Sequence, residues 1–213
     1  QLDQSKKCIT LAPLSDDLGH AILPERTVHY DYLVIAVGSV SNDFNTPGIK
    51  EHCYFLDSNQ QAERFQHTLL DSFTRLHQDD NQQQSLNIAI VGAGATGVEL
   101  SAELYHVSEL LKLYGLTNMS SKRLHIHLIE AGPRILPALP ERIAISAKRE
   151  LLKLGVNVRE QTQVKEASAQ GFITKDDEHI NADIMLWAAG VKAPDFIKDL
   201  AVFELTRSNQ IQV

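Results

Sequence analysis

The chain has 213 residues, 43% hydrophobic and 22% charged, which allows one large or two modest domains around a buried core. Its 27 acids outweigh 20 bases for a formal charge of −7, which argues against a nucleic-acid surface, where phosphates demand clustered Lys and Arg. Cys8 and Cys53 form no CxxC, which argues against a disulfide framework and for a reducing compartment; no apolar run approaches the about 18 residues of a membrane span, and the first residues lack a signal-peptide pattern.

In chain order, Cys8 to Leu11 and Thr27 to Tyr30 read as short strands around the turn-rich stretch Ser15 to Gly19. Asp31-Tyr-Leu-Val-Ile-Ala-Val-Gly38 is a compact apolar run closed by glycine, the pattern of a strand buried on both faces. Ser39 to Gly48 reads as linker. Ala62, Phe65, Leu69, Leu70, Phe73 and Leu76 recur at helical spacing, and Gln78 to Ser85 is a polar surface connection. Leu86 to Val91 is then a strand, Gly92 to Gly97 a turn, and Val98 to about Leu113 a helix. A loop through Gly115 and Asn118 leads to a second strand, Leu124 to Glu130. Glu141 to Leu154 is amphipathic, with Ile143, Ala147, Leu151 and Leu154 on one side and Gly155 closing it. Val156 to Arg159 is a third strand. Thr162 to Ala167, Gly171 to Thr174 and His179 to Ile180 form an antiparallel meander with a turn at Lys175 to Glu178, and Ile184 to Gly190 is a last strand ending in Ala-Gly. The start at Gln1 and the stop at Ile211-Gln212-Val213, inside an apparent strand, read as a piece excised from a longer protein.

The expected fold class is α/β: a Rossmann-like βαβ parallel sheet with an antiparallel β-meander. The Gly92-x-Gly94-x-x-Gly97 turn has a strand before it and a helix after it, the context that gives such a motif meaning. Gly92 permits the tight turn, Gly94 lets the backbone approach a pyrophosphate, and Gly97 lets the helix pack on the strand. Backbone N–H groups at the helix start, with Ala95 and Thr96 in the turn, then face the phosphates, aided by the helix dipole. The alternative is a structural turn with no ligand. Glu130, at the end of the second strand, is placed to accept hydrogen bonds from the adenosine ribose hydroxyls and to repel a 2′-phosphate, although it lies beyond the usual spacing of about 20 residues. The loop from Tyr114 to Arg123 absorbs the surplus if it bulges outward. The alternative for Glu130 is a plain strand-end acid. Arg134 is the nearby residue able to accept an NADP phosphate, and NADH is the favoured nucleotide.

Ile90-Val-Gly-Ala-Gly-Ala-Thr-Gly-Val-Glu-Leu100 and Leu128-Ile-Glu-Ala-Gly-Pro-Arg-Ile-Leu-Pro137 resemble the second nucleotide-binding domain of type II NADH dehydrogenases, the single-subunit NADH:quinone oxidoreductases of the two-dinucleotide-domain flavoproteins. The likeness runs from Tyr30 to about Leu200. It implies that Tyr32 to Gly38 is the link out of the first FAD half and that Asp183 to Val191, with Pro194, is the link back. Residues 1–45 would be a fragment of the FAD-binding domain, 46–190 the NAD(H)-binding domain, and 191–213 the start of the return, so that partial FAD-domain strands flank the sheet. The N-terminal glycine turn and C-terminal Gly-Asp motif that bind FAD in that family lie outside this sequence. The resemblance also places Glu99 near the nicotinamide and flavin rings and runs Ala189 and Gly190 beside the nicotinamide. Glu99 has an equally good structural explanation, since an acid in a first helical turn is stabilised by about 0.3–1 kcal/mol.

The implied activity is hydride transfer from NADH to FAD and electron transfer on to quinone, with this piece inactive alone. The implied setting is the cytoplasmic side of the inner membrane, attached peripherally through segments absent here, with a homodimer compatible. Open alternatives are a related FAD-dependent reductase acting on ferredoxin, a disulfide or sulfide, and a non-catalytic NAD(H) sensor. His125 and His127 share a strand face but lack companions at metal-ligand spacing, so no metal site is expected. Asp176-Asp-Glu178 reads as a solvated turn, and the helix from Glu141 to Leu154 as cover for the sheet rather than a membrane-surface helix.

Overall fold

The computed structural model describes residues 1–79, 84–115 and 121–212. The strands are β1 (Leu2–Asp3), β2 (Cys8–Leu11), β3 (Leu14–Ser15), β4 (Ala21–Leu23), β5 (Arg26–His29), β6 (Val40–Ser41), β7 (Leu86–Val91), β8 (Leu124–Ile129), β9 (Asn157–Arg159), β10 (Val164–Ser168), β11 (Gly171–Thr174), β12 (His179–Asn181), β13 (Ile184–Trp187) and β14 (Val191–Lys192). The helices are α1 (Ile49–His52), α2 (Asn59–Gln78), α3 (Ala95–Leu113), α4 (Glu141–Leu154) and α5 (Asp195–Asp199). Two compact units contain them: Gln1–Val40 with Val191–Val213, and Ser41–Gly190.

In the first unit, β1, β2 and β5 form an antiparallel sheet, and β3 pairs with β4 in a hairpin. Its turn is held by Asp16, whose Oδ1 accepts the backbone N–H groups of Leu18 and His20 at 2.9 and 2.8 Å. The run from Asp31 to Gly38 departs from expectation. It joins no β-ladder, and Tyr32 and Val34 are 95% and 85% exposed. A doubly buried strand needs hydrogen-bonding neighbours at its edges and a layer on each face. The described residues of its unit supply neither.

The second unit is built on a four-stranded parallel sheet in the order β13-β7-β8-β9. Its central strands are apolar because both faces are covered. Side chains alternate between the faces. Ile88, Ile90, Ile126, Leu128, Ile184 and Leu186 point to the side covered by α2, α3 and α4. Ala89, Val91, Ile129, Met185 and Trp187 point to the other, where Val164, Ala167, Phe172 and Ile180 of the meander β10-β11-β12 cover them.

The helices α2 and α4 cover the expected spans, α3 begins at Ala95, three residues before its expected start, and not every expected face is buried. Along α2, Phe65, Leu69, Phe73 and Leu76 are buried, whereas Ala62 is exposed and Leu70 is 42% exposed. Position 70 lies about 100° around the helix from 69, beyond the buried stripe. The α2 N-terminus is capped by Ser58, whose Oγ accepts the Gln61 N–H. On α4, the buried residues are Ala144 and Leu151, with Ala147 partly so, while Ile143 and Leu154 are 40% and 45% exposed. Ala147 and Leu151 thus keep the expected face, and Ala144 joins them in place of Ile143 and Leu154 where α4 packs near α3. Gly155 ends α4 at φ 99°.

Two polar residues bind the layers together and were not singled out from sequence. The Tyr105 hydroxyl lies 3.0 and 3.1 Å from the carbonyls of Leu124 and Gly155, which share its single proton. Arg123, 6% exposed, donates to the carbonyls of Leu76 and Gln84 and pairs with Asp79 at 2.7 Å, fastening the end of α2 to the start of β8. Of the polar connection, 80–83 lie outside the described residues, as do 116–120 of the loop expected to bulge, Asn118 among them.

Candidate functional site

The loops at the C-terminal ends of β7, β8 and β13 meet at one edge of the sheet. Directly after β7, Gly92 adopts φ 103°, a conformation that L side chains resist, and donates its N–H to the Ile129 carbonyl at 2.8 Å. A Cβ there would lie 2.6 Å from the backbone of Ala188 and Ala189, so the turn and its β13 neighbour both require glycine. At Gly97 a Cβ would lie 1.9 Å from the Gly92 carbonyl oxygen; glycine is what lets α3 pack against the turn. Gly94 is different. It is exposed, has an ordinary extended conformation (φ −70°, ψ −172°), and a Cβ there would meet nothing within 4 Å. The packing of the fold accounts for two glycines and leaves the third unexplained.

Gly94 is also the N-cap of α3, and no side chain caps that helix. Ala95 and Thr96, both exposed, begin it. N–H groups in a first helical turn lack intrahelical partners and carry the positive end of the macrodipole, so this edge is disposed to hold an anion.

Glu130, half-buried just beyond β8, turns its carboxylate back toward the glycine turn. Its Oε2 accepts the Ala93 N–H at 2.9 Å and its Oε1 the Gly132 N–H at 2.7 Å. It is therefore not a plain strand-end acid: it stitches two loops 37 residues apart in sequence. A carboxylate oxygen accepts more than one hydrogen bond, so acceptor capacity is left for hydroxyl donors.

Two expectations need correction. Arg134 is largely committed to the fold: its guanidinium donates to the carbonyls of Leu136, Pro137 and Leu139 at 2.9–3.0 Å and closes the loop before α4, so it is not held out toward a phosphate as a free side chain would be. Glu99 is exposed and is the fifth residue of α3, a helix with no acid in its first turn. The dipole effect fades within that turn, so it does not explain Glu99.

After β13, Ala189 is half-buried and Gly190 is exposed at φ 64°. Sequence reasoning missed the residue against them. Phe44, 59% exposed, places its ring so that a Cβ at Gly190 would lie 2.4 Å from Cζ. A large aromatic inside a polar Asn-Asp-Phe-Asn-Thr-Pro-Gly loop was the available signal.

Phe44, Gly92, Glu130, Thr162, Trp187 and Ala189 contribute to a cleft of about 240 Å³ at this edge. A larger polar hollow of about 770 Å³ includes Asn87 and Asp183, at the N-terminal ends of β7 and β13. Size and position disagree, and position decides: open α/β sheets bind ligands outside the carboxyl ends of their strands.

Other polar groups carry structural roles. His127 lies beneath the meander, and burial, then the nearby Arg159 and His125, hold its pKa below the usual histidine value. Asp177 pairs with Lys165 at 2.9 Å and Glu178 pairs with Arg159, closing the hairpin turn. No group of three or more metal-ligating side chains occurs among the described residues. Both cysteines are free, and burial pushes the Cys53 thiol up to about 12, far from a reactive thiolate.

The chain is 44% identical to a type II NADH:quinone oxidoreductase of Haemophilus influenzae, an alignment covering 100% of this chain and 51% of the relative. It is 33% identical to a mitochondrial external alternative NAD(P)H-ubiquinone oxidoreductase of Solanum tuberosum, over 81% of this chain and 31% of that one. The chain thus spans about a third to a half of the length of these relatives. The fold matches the structure of NDH2 from Plasmodium falciparum in complex with NADH, with a TM-score of 0.71 at 24% identity over 91% of this chain and 40% of that one. The family model described as pyridine nucleotide-disulphide oxidoreductase matches residues 1–213. Glycine turn, parallel sheet and whole-length match agree, and the chain belongs to the pyridine nucleotide-disulphide oxidoreductase family.

Proposed function

We propose that this chain is the NADH-binding part of a flavoprotein NADH dehydrogenase, in which hydride passes from NADH to FAD and electrons pass on to quinone. The observation that carries the reading is Gly94: open, exposed, unstrained and glycine for no reason internal to the fold. Approach of a pyrophosphate supplies the reason, since a side chain there would occupy the phosphate's place. The relatives' names supply the quinone acceptor.

In this reading Gly92, Gly94, Ala95, Thr96 and Gly97 form the pyrophosphate turn, and Glu130 binds the adenosine ribose and disfavours a 2′-phosphate. Ala189 and Gly190 run beside the nicotinamide, and Glu99 faces it one turn up α3. Residues 46–190, with 41–45 packed in the same compact unit, form the NADH-binding domain, and 1–40 and 191–213 belong to the FAD-binding domain. The chain's own residues bind and orient; FAD supplies the redox chemistry, and no side chain here is needed as an acid or base. Peripheral attachment to the cytoplasmic side of the inner membrane and a homodimer complete the proposal. No helix among the described residues is long and apolar enough to cross a membrane.

The test is a titration with NADH followed by nicotinamide fluorescence. The chain binds NADH saturably, and Gly94→Val abolishes binding while the circular dichroism spectrum and thermal midpoint stay unchanged, because position 94 faces ligand rather than core. Normal binding by Gly94→Val would make the turn structural and overturn the reading.

A further inference from the structure

We infer that Phe44 is the ring that holds the nicotinamide end of the dinucleotide, an inference that rests on the NADH reading above. The sheet order gives the direction. With the pyrophosphate at the turn after β7 and the adenosine ribose at Glu130 after β8, the second nucleoside must run the other way, to the end of β13. That end is Ala188 to Gly190, and the aromatic side chain standing on it is Phe44.

The loop is built to keep the ring there. Phe44 and Asn45 occupy left-handed conformations at φ 52° and 54°, uncommon for any side chain and unfavourable for a bulky one. Asn42 fixes them in place: its Oδ1 accepts the Phe44 N–H at 3.0 Å, its N–H donates to the Gly190 carbonyl at 3.3 Å, and its carbonyl accepts the Trp187 indole N–H at 2.8 Å. Asp43, buried beside it, pairs with Lys50 at 3.2 Å. All this ordering leaves Phe44 59% exposed on the wall of the cleft that also contains Gly92 and Ala189. The ring packs on Gly190 and leaves the rest of its apolar surface open to the cleft, where a flat partner can lie against it. The missing Cβ at Gly190 makes room for the ring itself.

The two probes are NADH and ADP-ribose, which share the adenosine and the pyrophosphate but differ in the nicotinamide. Calorimetric titration of the 213-residue chain compares the unsubstituted protein with Phe44→Ala, Phe44→Leu and Phe44→Tyr. Phe44→Ala weakens NADH by roughly tenfold, the scale of one lost ring stack, and leaves ADP-ribose within about twofold. Phe44→Leu, which keeps apolar bulk, falls in the same direction, and Phe44→Tyr restores NADH binding to within about twofold. Equal losses for both probes, or no loss for either, would overturn the inference while leaving the dinucleotide reading intact. If neither probe binds the unsubstituted chain, the dinucleotide reading has failed and this inference goes with it.

Discussion

At the scale of single residues, Glu130 serves both the turn and the proposed ligand. Its carboxylate accepts the N–H groups of Ala93 and Gly132, and a glutamine can satisfy only one of them, because its amide nitrogen is a donor. Leaving the other N–H without its partner costs about 1–3 kcal/mol. Glu130→Gln should therefore lower the thermal midpoint and weaken NADH binding by roughly tenfold or more, since hydrogen bonds to a charged group are the strong ones. NADPH, relieved of repulsion between carboxylate and 2′-phosphate, should lose less. Parallel titrations with the two nucleotides measure the difference, and identical losses would reduce Glu130 to a brace for the turn.

At the scale of elements, β8 carries a polar side chain into an apolar layer. His127 shares its strand face with Ile129, beneath the meander, and its Nδ1 finds no hydrogen-bond partner among the described residues. Desolvation disfavours its protonated form; the positive charges of Arg159 and His125 add to this, and Glu178 opposes it. The folded-state pKa therefore lies below the value of 6.5 for a free histidine. An unfolded chain then takes up a proton that the folded chain refuses, so the stabilisation is complete above that value and is lost as pH falls toward the depressed folded pKa. Urea unfolding at pH 7.5 and 5.5 should show a loss of stability on acidification that is smaller in His127→Phe. Equal pH dependence in the two proteins would show that other groups carry it.

At the scale of the whole molecule, the two units differ in how well they bury apolar surface. In the Ser41–Gly190 unit, both sheet faces are covered. In the other unit, Val34, Val37 and Phe196 are 85%, 45% and 47% exposed, and Leu33 and Ile197 line an apolar hollow of about 290 Å³. The proposed flavin chemistry needs an isoalloxazine held against the nicotinamide, and positioning of that kind is a large part of such catalysis. The motifs that the resemblance assigns to FAD are not in these 213 residues. The purified chain should thus be colourless, bind NADH and show no NADH:quinone activity with added FAD, whereas a longer chain carrying both motifs should be yellow and active. A stoichiometric flavin spectrum from the 213-residue chain would contradict this division of labour.

What the sequence determined by itself is what depends on neighbours along the chain. The apolar run of β7, the turn glycines, the helical spacing of α2 and the short strands around the Lys175 to Glu178 turn are local patterns, and they placed the βαβ unit and the meander. Gly92, Gly94, Glu130, Ala189 and Gly190 were legible as candidates because each lies just past a strand, and Gly97 because its spacing from them puts it at the start of the following helix. The tertiary structure decided everything that depends on a distant partner. Asp31 to Gly38 has a strand's composition, but a strand forms only on a ladder, and none is supplied. Periodicity defined an apolar stripe on α4 but not its edges: Ala147 and Leu151 pack inward as expected, Ala144 joins them, and Ile143 and Leu154 stay exposed. Arg134 had the right charge near the right place, and three of its N–H groups are given to carbonyls of its own loop. Phe44 and Trp187 meet through Asn42 across a separation of up to 145 residues. Short-range sterics write secondary structure into a sequence, whereas the partner of a ring, an N–H or a charge is set by how the layers close.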